Sequence, residues 1–255
     1  MTIRPIRLAG PRRRIPTPRI GARRGGGLNP VVASNATTWF SAHDGSGLQQ
    51  IPSRVGAAVA TLGSTTGADG NDPVWSATPD VWTFDATDDY ISTTATTPNV
   101  TATTGKHTVI VLFSFAINSN GHFWSSGTSS SQRFMVFPGS STTIQAQARG
   151  ATTAVSTVAQ TFPSTVSRTK TVVGLVADTG GLKSYLYQGS TGSMSASANI
   201  TGIGTMALSA PRIGNAAYAT TAPIGGKIHE VVEWYNQALD QATLDTVAAY
   251  LISKA

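Results

Sequence analysis

The side chains that could do acid–base chemistry are few, and their spacing works against it. Glutamate occurs only at Glu230 and Glu233, both inside the apolar run Ile228–Tyr235, which reads as a strand. A retaining glycosidase needs two carboxyls about 5 Å apart at one site. Residues an odd number apart on a strand project to opposite faces, so this pair is not expected to share a site. The four histidines (His43, His107, His122, His229) are scattered and show no metal-ligand spacing. No G-x-S-x-G elbow and no glycine-rich phosphate or dinucleotide fingerprint occurs. Cysteine is absent, which removes thiolate chemistry and disulfides. A catalytic role is therefore not expected.

Hard-oxygen chemistry has more material. Asp69-Gly70-Asn71-Asp72 and Asp88-Asp89 each place carboxylates on a turn, the donor type that calcium takes. Asp69, Asp72, Asp88 and Asp89 are accordingly the candidate calcium ligands. The bland account is that Asp-Gly and Asn-Asp simply make turns. No other cofactor is expected.

The elements that would position these groups are clearest at the end of the chain. A short strand ends in Ile213-Gly214, a Gly225-Gly226 turn follows, and Ile228–Tyr235 is a strand. Asp240 can accept from the free N–H groups of a helical first turn. Leu239 and Leu244 stand at hydrophobic-staple positions, and Leu244, Val247, Ala248 and Leu251 repeat at helical spacing. His107–Ala116 is an apolar, β-branched run expected as a central buried strand, and short strands follow it at Gly/Ser/Asn turns. The expected class is all-β, an antiparallel sandwich with a short C-terminal helix.

Three motifs narrow this. Ile213-Gly214, Gly226, Ile228, Glu230-Val231-Val232, Tyr235-Asn236, Ala238-Leu239 and Tyr250-Leu251 follow one pattern. Val81–Ile91 (VWTFDATDDYI) and Lys183–Gly189 (KSYLYQG) precede it in order. In this order and spacing, over roughly residues 75–255, they resemble the concanavalin A-like (laminin-G-like) jelly-roll domains. Ala86 stands where that family has glycine. The resemblance implies a two-sheet jelly roll, a fold that hosts many functions. It also implies a calcium site between loops at the sandwich rim, as in many relatives.

Charge divides the chain. Residues 1–27 carry Arg4, Arg7, Arg12, Arg13, Arg14, Arg19, Arg23 and Arg24 and no acid, while the rest of the chain holds 10 basic and 12 acidic side chains. The net +6 belongs to this arm, and residues 28–255 form a nearly neutral body. Pro5, Pro11, Pro16 and Pro18 favour extended backbone in the arm, and Gly25–Gly27 make a hinge. With too few apolar residues for a core, the arm is expected to take shape only against a partner. Arginine without lysine, interleaved with isoleucine and leucine, suits an acidic protein surface with apolar pockets better than nucleic acid. No apolar run approaches the ~20 residues of a membrane-spanning helix.

Two functions are expected from these features. The first is a virion structural protein: a phage capsid decoration protein in many copies or as a homo-oligomer, made in the host cytoplasm. Its arm would bind another virion component such as the major capsid protein. Laminin-G-like domains of this kind are found in phage structural proteins. The second is a carbohydrate-binding adhesion module recognising host-surface glycans, with Trp124, Tyr218 and Trp234 as candidate sugar platforms. Core burial is the competing fate of each aromatic.

Overall fold

The computed structural model describes residues 29–45, 48–98, 100–101, 105–116, 121–140, 142–152, 155–161, 170–219 and 222–255. The arm and all eight of its arginines lie outside the described residues.

Among the described residues the chain folds into two large antiparallel sheets and one long helix. In chain order the strands are β1 (Thr38–Ser41), β2 (Gln50–Pro52), β3 (Val59–Leu62), β4 (Val74–Ala77), β5 (Asp80–Asp85), β6 (Ile91–Thr93), β7 (Val100–Thr101), β8 (His107–Ala116), β9 (Trp124–Ser129) and β10 (Gln132–Ser140). They continue as β11 (Thr143–Arg149), β12 (Val155–Thr161), β13 (Thr171–Asp178), β14 (Gly181–Gln188), β15 (Thr191–Met194), β16 (Ala198–Asn199), β17 (Thr205–Met206), β18 (Arg212–Ile213) and β19 (Gly225–Tyr235). The helices are the one-turn α1 (Pro30–Ala33) and the 14-residue α2 (Gln241–Lys254).

The first sheet runs β15-β14-β13-β8-β19-β5-β4, with β1 also on β19 and β16 also on β14. The second runs β12-β11-β10-β9-β18-β6-β3-β2. Phe40, Trp82, Phe84, Val109, Val111 and Val231 from the first sheet meet Ile51, Ile91, Trp124, Phe134, Val136 and Ile144 from the second in one apolar core. This is the expected all-β sandwich.

The first sheet is covered on its other face too. Leu244, Val247, Ala248 and Leu251 of α2 pack with Trp39, Ile110, Leu112, Val232 and Trp234. The helix starts as its sequence predicts, with the Asp240 carboxylate accepting from Thr243 N at 2.8 Å. Strands covered on both sides favour apolar residues at every position, which is why β8 reads as a nearly continuous apolar run, while β19 buries His229, Glu230 and Glu233 among its apolar residues.

Two local expectations need correction. Gly225-Gly226 is not a turn but the first part of β19, paired with Asp85 and Phe84 of β5. The short strand that the residues from Gly121 to Ser125 suggest runs instead from Trp124 to Ser129 as β9, with Phe123 bonded to Val136 and Gly214 just before it. Gly214 has a positive φ of 86°, and a Cβ there would sit 2.2 Å from the Phe84 ring. No other residue fits that turn.

Candidate functional site

Among the described residues the second sheet has no helix on its outer face, and its residue types change accordingly. Along β10, Phe134 and Val136 point into the core, so Arg133, Met135 and Phe137 point outward. Along β11, Ile144, Ala146 and Ala148 are buried and Gln145, Gln147 and Arg149 face out. The register sets Arg133 directly opposite Arg149, Met135 opposite Gln147 and Phe137 opposite Gln145. On the next strand Thr157 stands opposite Gln147.

These groups are wired together. Arg133 donates from Nε and Nη2 to Gln147 Oε1 at 3.1 and 2.7 Å, and Gln147 Nε2 donates to Thr157 Oγ1 at 3.2 Å. Arg133 and Arg149 both donate to the Ser130 carbonyl, at 2.7 and 3.1 Å. Arg133 also donates to the Tyr218 hydroxyl at 3.2 Å, and its guanidinium lies 5.2 Å from the ring centroid. Among the described residues no carboxylate lies within ion-pair distance of either arginine. Partial burial, with the charge of Arg149 a lesser cause, lowers the Arg133 pKa.

The loop carrying Tyr218 is held in place from below. Arg212 Nη1 donates to the carbonyls of Ala216 and Ala219, both at 3.2 Å. Buried Asn215 accepts at Oδ1 from Ala216 N and Ala222 N. Ser125 Oγ donates to the Asn215 carbonyl and accepts from Ala217 N. A loop fixed this way presents Tyr218, half-buried, without having to order itself first. His122 packs beside it, 6.4 Å from the Tyr218 ring and 5.8 Å from Phe137. Burial first, and the Arg133 charge second, lower the His122 pKa to about 4, so it stays neutral near pH 7.

Of the three aromatics proposed as sugar platforms, only Tyr218 is on a surface. Trp124 and Trp234 are fully buried, Trp124 between the sheets and Trp234 under α2. Both carry too much apolar area to be left in water on strands whose neighbours are apolar. Sequence reasoning missed Arg133, Arg149 and Gln147. A signal for them exists: no acidic residue occurs between Asp89 and Asp178.

Glu230 and Glu233 lie on opposite faces of β19. Glu230 accepts from Trp39 Nε1 at 2.7 Å and Ser41 Oγ at 2.8 Å on the helix side. Glu233 is buried between the sheets, 3.8 Å from His107 Nε2, which stacks between Trp124 and Tyr235. Trp124, Tyr235 and Thr38 approach Glu233 without a well-formed hydrogen bond to either carboxylate oxygen. Burial raises both glutamates to about 7 and lowers His107 to about 3, so at mildly acid pH the proton sits on the carboxyl and the imidazole is neutral.

The acidic loops divide differently from expectation. Asp69 accepts from Ser64 Oγ, Thr65 Oγ1 and Asn71 N, and Asp72 Oδ2 accepts from Asp69 N and Gln49 Nε2, which closes a turn. Asp88 and Asp89 instead gather with Asp85, which the sequence reading left out; one oxygen from each lies within 4.8 Å of the others. That trio has the donor chemistry for a hard cation such as calcium. Asp85 and Asp89 also have a turn-forming role: Asp85 Oδ1 accepts from Thr87 N and Asp89 Oδ2 from Asp85 N. Ala86, between them, has a positive φ of 71°, the conformation its glycine counterpart would adopt freely.

No protein-family model and no curated protein matches this chain. Solved structures do. The binding domain of botulinum neurotoxin serotype G aligns with a TM-score of 0.60 at 12% identity, covering 86% of this chain and 51% of that one. The serotype D binding domain gives 0.55 at 9% identity, covering 84% and 51%. The Ruminococcus gnavus IT-sialidase CBM40 gives 0.45 at 15% identity, covering 58% of this chain and 84% of that one. This chain therefore spans about half the length of the neurotoxin domains. At such identities the two neurotoxin likenesses speak for the fold alone, and what they support is a jelly-roll β-sandwich.

Proposed function

We propose that this protein is a non-catalytic carbohydrate-binding module whose site is the open outer face of β10 and β11 beneath Tyr218. One observation carries the reading: a pinned aromatic, two outward amides (Gln145 and Gln147) and a hydroxyl (Thr157) share an outer sheet face that no helix covers and no acid approaches among the described residues. Sugars are held by such combinations, an aromatic against the apolar face of the ring and planar amides on its hydroxyls. The solved neighbours include a sialidase-associated carbohydrate-binding module, and this agrees with the reading without establishing it.

Titration calorimetry of the full chain against a panel of oligosaccharides tests this. Binding is expected, and Tyr218→Ala should weaken it by about tenfold or more, the scale of an aromatic anchor, with the melting temperature unchanged. A panel on which nothing binds, or a Tyr218→Ala protein that binds as well as the parent, sinks the reading.

The virion reading rests on a different observation, the eight arginines of residues 1–27 in an otherwise neutral chain. It is compatible with the first: the arm would anchor the protein to a capsid and the sandwich would face a host glycan. A deletion of residues 1–27 should keep glycan binding and lose binding to the particle. Retained particle binding would remove the arm from any anchoring role.

A further inference from the structure

We infer that the ligand of this face is anionic: a saccharide whose charged group seats across Arg133 and Arg149. The inference rests on the carbohydrate reading and specifies its chemistry.

Two like charges placed directly opposite each other on neighbouring antiparallel strands destabilise a sheet. The Arg133–Arg149 pair is such a placement, and no carboxylate relieves it among the described residues. Single cations elsewhere are either paired, as Arg54 is with Asp44 and Lys106 with Asp178 at 3.7 Å, or stand apart from other cations in the strand register; among the described residues only here are two set directly opposite. The arginines here are not splayed apart as two repelling surface charges would be. Each donates to the same carbonyl, of Ser130, and Gln147 fixes the plane of the Arg133 guanidinium. Arg149 still has its Nε–H buried with no hydrogen-bond partner. A costly juxtaposition of two guanidinium groups held rigidly, with no counter-charge, is what a fork for a planar or tetrahedral anion looks like before the anion arrives. Tyr218, bonded to one arm of the fork, puts an aromatic ring beside the charge, so the anion should be part of a sugar and not a free ion.

Carboxylate and sulfate share this chemistry, so the test includes both. Three oligosaccharides are compared by calorimetry: a neutral galactose-terminated one, the same chain capped with a carboxylate-bearing sugar, and its sulfated form. One or both acidic forms should bind at least tenfold more tightly than the neutral form. That preference should shrink as salt rises from 50 to 500 mM. Arg149→Gln should reduce the tighter binding by about tenfold or more, the loss of a charge-assisted pair, while the thermal midpoint stays level or rises. Equal binding of neutral and acidic forms, unaffected by Arg149→Gln, overturns the inference and leaves the carbohydrate reading intact. Absence of binding to all three overturns both. Tighter binding to a DNA oligonucleotide than to any saccharide shows the fork to be a phosphate-backbone contact and overturns both as well.

Discussion

The two outer faces of this sandwich are built from the same kind of strand and have opposite fates. The face of β8, β13, β14 and β19 lies under α2, and its residues are Ile110, Leu112, Val172, Tyr185 and Trp234, all buried. The face of β10 and β11 has no helix among the described residues; Met135 on it is buried, but Arg133, Phe137, Gln145, Gln147 and Arg149 are part-exposed. A buried carboxyl on the covered face, Glu230, has hydrogen bonds at both oxygens. The arginines on the open face have amides and a carbonyl but no counter-charge. A covered face must satisfy its polar groups internally, because burying them unpaired costs more than the fold can spare. An open face can leave a demand unmet for a ligand to supply. The first region is closed to ligands, and the second is free to specialise.

The largest effect that can test this division comes from the covered face. Trp234→Ala removes a fully buried indole whose Nε1 donates to Ser34 Oγ at 3.1 Å. It should cost about 3–5 kcal/mol of unfolding free energy, measured by urea denaturation. Below the transition the variant should bind saccharide as the parent does. A Trp234→Ala protein that stays folded yet loses binding would show that the faces are coupled, and the division would fail.

The buried titratable groups make a second test, through pH. Glu230 and Glu233 sit at about 7 in the fold against 4.5 ordinarily, so the folded state holds more protons across that window and stability falls as pH rises through 7. His107 and His122 sit at about 3 and 4 against 6.5, so the folded state holds fewer protons there and stability falls as pH drops below 6.5. The two slopes oppose each other between about 4.5 and 6.5. Maximum stability is therefore expected in mildly acid solution, with a decline toward pH 8. Glu233→Gln should make that decline shallower, and melting temperatures from pH 4 to 8 will show it. An unchanged slope would mean that Glu233 does not take up a proton in the fold.

Much of the covered region could be read from the chain alone. His107–Ala116 is found as β8 with the bounds its apolar run suggested, and the helix starts at the cap that Asp240 marked. Apolar periodicity reports burial directly. The open face was legible only at Tyr218. Arg133 and Arg149 are separated by a hairpin and become neighbours only through the β10–β11 register, which a chain read residue by residue does not display. Trp124 and Trp234 show the converse. An aromatic looks the same in sequence whether it will stack on a sugar or fill a core, and here both fill cores.

A smaller effect comes from the helix that makes one face covered. Asp240→Ala removes the side-chain acceptor from Thr243 N and should cost about 1 kcal/mol. The loss should appear in the unfolding midpoint and leave saccharide affinity unaltered. A much larger loss would mean that α2 holds the sheet together and does more than cover it.

The smallest expected effect has the opposite sign, and it separates the two faces most sharply. If the open face carries an arrangement kept for a ligand, removing part of it should help the fold. Arg149→Gln ends the direct opposition to Arg133, and the Ser130 carbonyl that Arg149 now reaches at 3.1 Å keeps Arg133 as its donor at 2.7 Å. A gain of a few tenths of a kcal/mol is expected, the scale of a cross-strand pair, largest at low salt where the repulsion is least screened. Replicate urea midpoints at 20 and 500 mM salt resolve a change of that size through its salt dependence. A loss of stability at low salt would mean that Arg149 holds the sheet together, and the open face would then be built on the same terms as the covered one.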